Sequence, residues 1–385
     1  MLAITNGRLF TITHGVIEGG TVLIDRGKLV AVGSGLSLPQ GAHVIDATGY
    51  HVYPGLVDAH THHGVYAEVS GPEGADGNEM TDPITPHVRA LDSLNWFDPG
   101  FEDSVANGVT TVNVLPGSGN VIGGQGVAVK TWGPRPAERI LLQPSGLKMA
   151  LGENPKRVYG SKKKTPSTRL GSAALMREAF FQARNYLRQR DQGEAERNLR
   201  WEILADVLQG KIPARCHAHR ADDILTALRI SQEFGFRLTI EHCTEGHQVA
   251  DKLAEAGVMC TLGPLLTGRS KQELKDRSLD AAPALERAGV VFGFTTDHPV
   301  IPAYSLPLCA AYAVGAGMSR EGALRALTFD AARVIGLEQR IGSLEAGKDA
   351  DCFLTTGDLF DPRSRVLLTL VDGQVAWSLE GMPRI

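Results

Sequence analysis

The sequence predicts an α/β fold: a (β/α)8 (TIM) barrel with a small β-sandwich domain formed by both chain termini. From Met1 to about Tyr53, apolar and polar residues alternate between glycines, and the C-terminal end repeats that pattern. Such alternation is typical of short antiparallel strands. We therefore expect residues 1–54 and 335–385 to form one composite β domain and residues 55–334 to form the barrel.

The middle of the chain has the texture of βα units, because short apolar runs alternate with helical stretches such as SAALMREAFFQARNYLRQR. The runs predicted as barrel strands are GLVDAH, VTTVNVL, GVAVKTW, ILLQPSGLKMAL, IPARCHAH, FRLTIEH, GVMCTLG and GVVFGFTTD. Eight strands in this length fit the barrel, although a glycine-rich loop and not a clear helix joins the second run to the third. An open doubly wound sheet is the alternative.

Composition narrows the range of partners. The net charge of -4 and the pI near 6.3 provide no basic field for nucleic acid or an anionic membrane. Five cysteines without a CxxC pair indicate reduced thiols and a cytoplasmic location. The longest apolar helical candidate, LCAAYAVGAGM, is too short to span a bilayer. We expect a small-molecule substrate and leave a homo-oligomer open.

Histidines cluster in the first predicted strand, GLVDAHTHHG. Side chains two apart on a strand share a face, so His60 and His62 should point the same way while His63 points oppositely or lies in the turn. Two imidazoles that project together from a strand end can bind one cation.

Other predicted strands end in residues of the same kind. The carboxyl ends of barrel strands converge on one mouth, so side chains remote in sequence become neighbours there. Imidazoles with a few carboxylates suit zinc best, with manganese, iron or nickel as alternatives. The further candidate ligands are His217, His219, His242 and Asp297.

These segments resemble the amidohydrolase superfamily, and within it the branch of imidazolonepropionase and Xaa-Pro dipeptidase. The residues that carry the resemblance are PGLVDAHTHHG, CHAHRADD, IEHC, TTDHP and the closing GSLEAGKDADCFL. The resemblance covers nearly the whole chain. It is specific for the superfamily and only weakly specific for the substrate.

The resemblance implies one or two divalent metal ions, with zinc the best candidate. His60, His62 and Asp297 would hold the more buried ion, and Asp297 would also serve as the proton shuttle. His217 and His242 would hold a second ion. His219 is the alternative ligand on its strand. Otherwise it is a catalytic residue that polarises the substrate carbonyl, a role for which the metal and His298 are the alternatives.

A bridging ligand on the fourth strand has two candidates in GLKMALGENPK. A lysine within an apolar strand is costly unless its charge is altered or paired, and carbamylation would convert Lys148 into a bridging carboxylate. Glu153 is the alternative. Lys148 could also extend its amine to solvent.

Four polar residues near the predicted barrel mouth are candidate substrate contacts. A guanidinium or a phenol there could receive a substrate carboxylate. The candidates are Asn120, Glu153, Arg157 and Tyr159.

The predicted function is a metal-dependent hydrolase that cleaves an amide-type C–N bond, linear or cyclic, of a small molecule. A bound divalent ion lowers the pKa of water to about 7, which makes it a usable nucleophile. A deaminase of the same superfamily is an alternative, but the glutamate three residues after the strand-five histidine is missing: Arg220 and Asp222 lie there. A catalytically silent barrel that acts as a binding subunit is the third hypothesis.

Overall fold

A computed structural model of the chain describes residues 1–68 and 71–380 and shows a mixed α/β fold. The strands are β1 Leu2–Phe10, β2 Val16–Asp25, β3 Lys28–Gly33, β4 His43–Asp46, β5 His51–Pro54, β6 Leu56–Thr61, β7 Val109–Val114, β8 Ile122–Gln125, β9 Val127–Lys130, β10 Ile140–Leu142, β11 Leu147–Ala150, β12 Ala214–Ala218, β13 Leu238–His242, β14 Met259–Leu262, β15 Phe292–Phe294, β16 Cys352–Thr355, β17 Val366–Val371 and β18 Gln374–Ser378.

Helices follow most of the central strands, as the βα texture predicts. They are α1 Pro99–Ala106, α2 Glu153–Ser161, α3 Arg169–Asp191, α4 Leu199–Leu208, α5 Ala221–Phe234, α6 Ala250–Glu255, α7 Ala281–Arg287, α8 Leu306–Gly315, α9 Arg320–Leu327 and α10 Phe329–Val334. Side chains cap several of them: the Thr168 hydroxyl, for example, accepts from the Gly171 N–H at the start of α3. Within the described part of the chain, no helix is both long enough and apolar enough for a membrane crossing.

Strands from both ends of the chain form one eight-stranded sheet. Its order is β18-β17-β16-β5-β1-β2-β3, with β4 paired to β1. The N-terminal β5 pairs antiparallel with the C-terminal β16 and parallel with β1. The expected association of the two termini is therefore present in this sheet, while the arrangement as a sandwich stays a prediction.

The central strands form two further sheets, ordered β10-β9-β7-β6 and β15-β14-β13-β12-β11-β8. Strands β11 to β15 run parallel, and so do β6 and β7. The two sheets meet at one edge through Gly126, whose N–H donates to the Gly146 carbonyl at 3.0 Å. At the other edge the His62 N–H donates to the His298 carbonyl at 2.8 Å, so β6 lies beside the segment that follows β15.

The third predicted strand differs from the expectation, because it runs against its neighbours. The predicted run GVAVKTW contains β9, which pairs antiparallel with β7, and it continues across Gly126 from β8, a strand inside the segment expected to be a glycine-rich loop; β8 pairs antiparallel with β11. A parallel connection needs a crossover of about a dozen residues or more. The glycine-rich connection 115–121 is too short for that, so the chain reverses direction.

The fourth predicted strand, residues 140–151, is two strands. β10 pairs with β9 and β11 pairs with β12, and Pro144 lies between them. Proline lacks the N–H that a continuous ladder needs. The break leaves β11 free to carry Lys148 among parallel strands.

A largely buried charge cluster joins the terminal sheet to the central strands. We call it the Lys130 cluster and define it as the buried Lys130, Asp349 and Asp351 with the partly exposed Asp372. The Lys130 ammonium lies 3.0 Å from a carboxylate oxygen of both Asp349 and Asp351, and it also contacts Asp372. Lys130 is at the end of β9, and the aspartates belong to the C-terminal segment. Opposite charges therefore meet at this junction.

Candidate metal centre

The first group of candidate ligands comes from the strand end of β6 and from the segment after β15. His60 Nε2 lies 3.4 Å from Asp297 Oδ1, and His62 Nε2 lies 3.2 Å from the same oxygen. One ligand atom from each of these three residues lies within 4.8 Å of the others, a grouping that could hold an ion. His63 points away and bonds through Nε2 to the Ser104 hydroxyl at 2.9 Å, as alternation along the strand predicts.

The second nitrogen of each first-group imidazole is used by an acceptor. His60 donates Nδ1–H to Glu241 Oε2 at 2.7 Å, and His62 donates Nδ1–H to the Leu115 carbonyl at 2.7 Å. Burial lowers the pKa of His62, so its ring is neutral and its Nε2 carries a lone pair towards Asp297. Histidines that ligate metals usually donate their other N–H in this way.

The second group comprises His217, His219 and His242, whose ligand atoms also lie within 4.8 Å of one another. His242 donates Nδ1–H to the Gly263 carbonyl at 3.0 Å, and burial holds its pKa well below the usual range. Its ring centroid is 4.6 Å from that of His60, so the two groups adjoin. Because both His217 and His219 belong to this group, the choice between them as ligand stays open.

Lys148 lies beside the first group. Its Nζ is 3.3 Å from His60 Nε2, and the side chain is buried. Burial, opposed in part by Glu241 and Asp297, lowers the pKa of this ammonium group to about 8. A fraction of the amine is therefore neutral near pH 8, the form that reacts with carbon dioxide.

Unusual backbone conformations aim two of the candidate ligands. His242 has φ 72° and Asp297 has φ 54°, both in the left-handed region that non-glycine residues seldom adopt. The Asp297 N–H donates to the Thr295 hydroxyl at 3.0 Å, which holds the turn. Such strain, about 1 to 3 kcal/mol per residue, concentrates at functional sites.

The predicted substrate contacts are placed in different ways. Tyr159 is buried and donates its hydroxyl hydrogen to Asn120 Oδ1 at 2.6 Å, so these two side chains bond to each other. Arg157 is exposed, on α2. Glu153 Oε2 accepts from the Glu273 N–H at 3.2 Å, so the Glu153 carboxylate faces the loop between β14 and α7. Their roles towards a substrate stay predictions.

Three charged residues at the site were not among the sequence candidates. Glu241 contacts both His60 and Arg215, whose Nε lies 2.9 Å from Glu241 Oε1. Burial opposes ionisation of Glu241, but Arg215 and His60 outweigh it and lower its pKa to about 2. An arginine and a glutamate inside apolar strands signal a buried pair. Glu273, in the loop after β14, has no such sequence signal.

The arrangement defines a class: a protein whose buried imidazoles and carboxylate converge at the carboxyl ends of parallel strands, as in metal-dependent enzymes. An amidohydrolase family model matches residues 151–376, more than half of the chain. This chain belongs to the amidohydrolase family, which confirms the resemblance seen in the sequence.

Individual relatives agree with the family. Amidohydrolase tasK of Hapsidospora irregularis is 31% identical over 92% of this chain, which spans 39% of that relative's length. Imidazolonepropionase of Mesorhizobium japonicum is 26% identical over 90% of both chains. The solved structure of an amidohydrolase from Thermotoga maritima superposes with a TM-score of 0.96 at 45% identity, over 98% of this chain and 100% of that one.

Proposed function

We propose that this chain is a metal-dependent hydrolase that cleaves an amide-type C–N bond of a small molecule. One observation carries the proposal: His60 and His62 direct Nε2 at a single carboxylate oxygen of Asp297 while acceptors occupy both Nδ1–H groups. A lone pair and a carboxylate at such distances repel each other unless a cation lies between them.

The residues fit one or two divalent ions. His60, His62 and Asp297 would hold the first ion, and His242 with His217 or His219 would hold the second. Imidazole-rich sites favour zinc. When bound, such an ion supplies Lewis acidity, which polarises a carbonyl and lowers the pKa of water by about 9 units.

The side chains of this chain have separate tasks in the proposal. Asp297 carries a proton from the attacking water to the leaving nitrogen, because its carboxylate lies at the centre of the first group. Proton transfer by a positioned group contributes about 10² to 10⁴-fold. His219 orients the substrate carbonyl. Lys148, carbamylated on Nζ by carbon dioxide, would supply the bridging carboxylate; its 3.3 Å distance to His60 Nε2 supports this choice over Glu153.

The proposal includes the predicted organisation. Residues 55–334 would form a (β/α)8 barrel with one reversed strand, and residues 1–54 with 335–385 would form the β domain. The joined sheet edges and the mixed terminal sheet support this division. All five cysteines are buried and unpaired, which supports a cytoplasmic location.

The substrate class is N-acyl amino acids, dipeptides including those that end in proline, or small cyclic amides. The imidazolonepropionase relative supports the cyclic amides. The test is elemental analysis of the purified chain followed by hydrolysis of a panel of these compounds. We expect at least one tightly bound transition metal per chain and hydrolysis to an amine and an acid, which remain in one ring-opened product when the substrate is cyclic. Ammonia release from amidine substrates alone would favour the deaminase, and a metal-free chain without activity would favour the silent barrel.

Lys148→Ala tests the bridging role. We expect loss of hydrolysis, with partial rescue by short carboxylic acids, because an added carboxylate can replace the carbamate. The exposed Lys163→Ala is the control. A variant at position 148 with unchanged metal content and rate would transfer the bridging role to Glu153.

A further inference from the structure

The Glu273 carboxylate lies against the second histidine group, although Glu273 belongs to the loop between β14 and α7. Its Oε1 is 3.3 Å from His217 Nε2 and 3.6 Å from His219 Nε2. The side chain is 1% exposed. Zinc binds nitrogen and oxygen ligands at about 2.0 to 2.2 Å, so two ligand atoms of a tetrahedral site lie about 3.3 to 3.6 Å apart. The observed spacings fall in this range.

The other carboxylate oxygen fixes the orientation of Glu273. Oε2 accepts from the Glu153 N–H at 3.1 Å, at the N-terminus of α2, and Glu153 Oε2 accepts in return from the Glu273 N–H. Gly152 makes room for this contact, since a Cβ there would lie 2.9 Å from Oε2. These two hydrogen bonds hold the carboxylate in one orientation, with Oε1 facing the histidines.

An ion pair with Lys271 does not account for this placement. The Lys271 ammonium lies 3.3 Å from Oε1, but its side chain is 29% exposed and could pair with a carboxylate in solvent. Among the described residues, His219 Nε2 has no hydrogen-bond partner.

We propose that Glu273 is a ligand of the second divalent ion, together with His242 and either His217 or His219. The inference rests on the proposed function, because it requires that function's metal centre. A carboxylate in this position neutralises part of the charge of the ion and ties it, through Glu153, to the N-terminus of α2. The second site would then have a protein ligand from the loop between β14 and α7.

The experiment compares metal retention by the wild-type chain, Glu273→Gln and Glu245→Gln. Each protein, loaded with zinc alone, is dialysed against graded chelator, and the zinc that remains is counted by elemental analysis. Glu245 is the matched control, because its carboxylate also accepts from a helix N-terminus, the Ala221 N–H at 2.8 Å. Circular dichroism verifies folding. Glu273→Asp, which keeps the charge but shortens the side chain, serves if the glutamine variant does not fold.

We expect wild type and Glu245→Gln to retain two ions. Glu273→Gln should keep one ion like the wild type and bind the second at least 10-fold more weakly, since even residues that merely support ligands contribute about 10 to 100-fold. Equal retention of the second ion by Glu273→Gln overturns the inference and leaves the proposed function intact. A wild type with one ion, whether or not the variant gains another, also overturns it. A wild type without any ion overturns both proposals.

Discussion

The Lys130 cluster and the metal centre are both buried and polar, but their charges are balanced in opposite ways. In the Lys130 cluster, one ammonium group lies between aspartates, and two further cations, Lys28 and Arg340, contact Asp349. In the candidate metal centre, imidazoles and carboxylates face one another, the Lys148 amine lies 3.3 Å from His60 Nε2, and Asp297 Oδ1 has no hydrogen-bond partner among the described residues.

This difference separates a structural cluster from a binding site. Burial of a charge costs free energy unless an oppositely charged or hydrogen-bonding partner offsets the loss of solvation. The Lys130 cluster contains its own cations and can stabilise the junction between the terminal sheet and β9. In the candidate metal centre, Asp297 Oδ1 and His219 Nε2 lack hydrogen-bond partners among the described residues, which supports the proposed binding of an ion there.

Asp297→Asn should have the largest effect. The change keeps the shape of the side chain but removes the proton carrier, so we expect kcat/KM to fall by about 10² to 10⁴-fold on the best substrate of the panel. Circular dichroism should be unchanged, and exposed Asp280→Asn should behave as the wild type. A nearly normal rate would contradict the role given to Asp297.

Lys130→Met should act on stability alone. It leaves buried aspartates without their shared cation, so we expect the free energy of unfolding to fall by about 3 to 5 kcal/mol in urea denaturation. The zinc content of the folded variant should equal that of the wild type. Loss of zinc together with stability would mean that the two clusters are coupled.

Glu241→Gln should weaken metal binding moderately. Glu241 fixes the His60 ring through Nδ1, and loss of such a supporting carboxylate costs about 10 to 100-fold in affinity. Competition with a chromogenic chelator measures this change. Unchanged zinc affinity would show that Glu241 acts only as the partner of Arg215.

The pH dependence of the Lys130→Met defect is the smallest expected effect. In the wild type, burial raises the pKa of Asp349, but Lys130, Lys28 and Arg340 together outweigh burial and the pKa is lowered. The stabilisation that comes from the lowered pKa of Asp349 is present above the pKa of this carboxyl in the unfolded chain. It is lost as the pH falls through the pKa of Asp349 in the folded protein.

Asp351 should differ from Asp349, because burial already raises its pKa and Lys130 is its main opposing charge; without Lys130 this pKa should rise further, so the variant gains stability relative to the wild type as pH falls. We expect the difference in unfolding free energy from the wild type to shrink between pH 7 and pH 5 by about 1 kcal/mol, the value of roughly one pKa unit. Urea denaturation at both pH values measures it. A constant difference would mean that the aspartates remain solvated in the variant.

The local sequence pattern was sufficient to predict much of the candidate metal centre. Alternation along β6 predicts that His60 and His62 share a face, and the strand ends predict the contact with Asp297, which the structure shows at 3.2 and 3.4 Å. The helical stretch at residues 172–190 is likewise found within α3. These features depend on residues adjacent in sequence or on a rule that holds for all parallel strands.

The direction of the third strand depended on more than pattern. Its apolar residues are compatible with either direction, and the short connection before it decided between them. Apolar periodicity reports burial and spacing; it does not report which neighbour a strand will pair with.

By itself, the sequence determined the residue types of the metal centre and the strands that carry them, because side-chain periodicity is a local property of the backbone. Only the tertiary structure decided that Glu241 supports His60, 181 positions away, and that Glu273 faces His217 and His219. Those contacts depend on how separate strands and loops pack, and a carboxylate in a polar loop has the same local pattern whether it faces water or a buried imidazole.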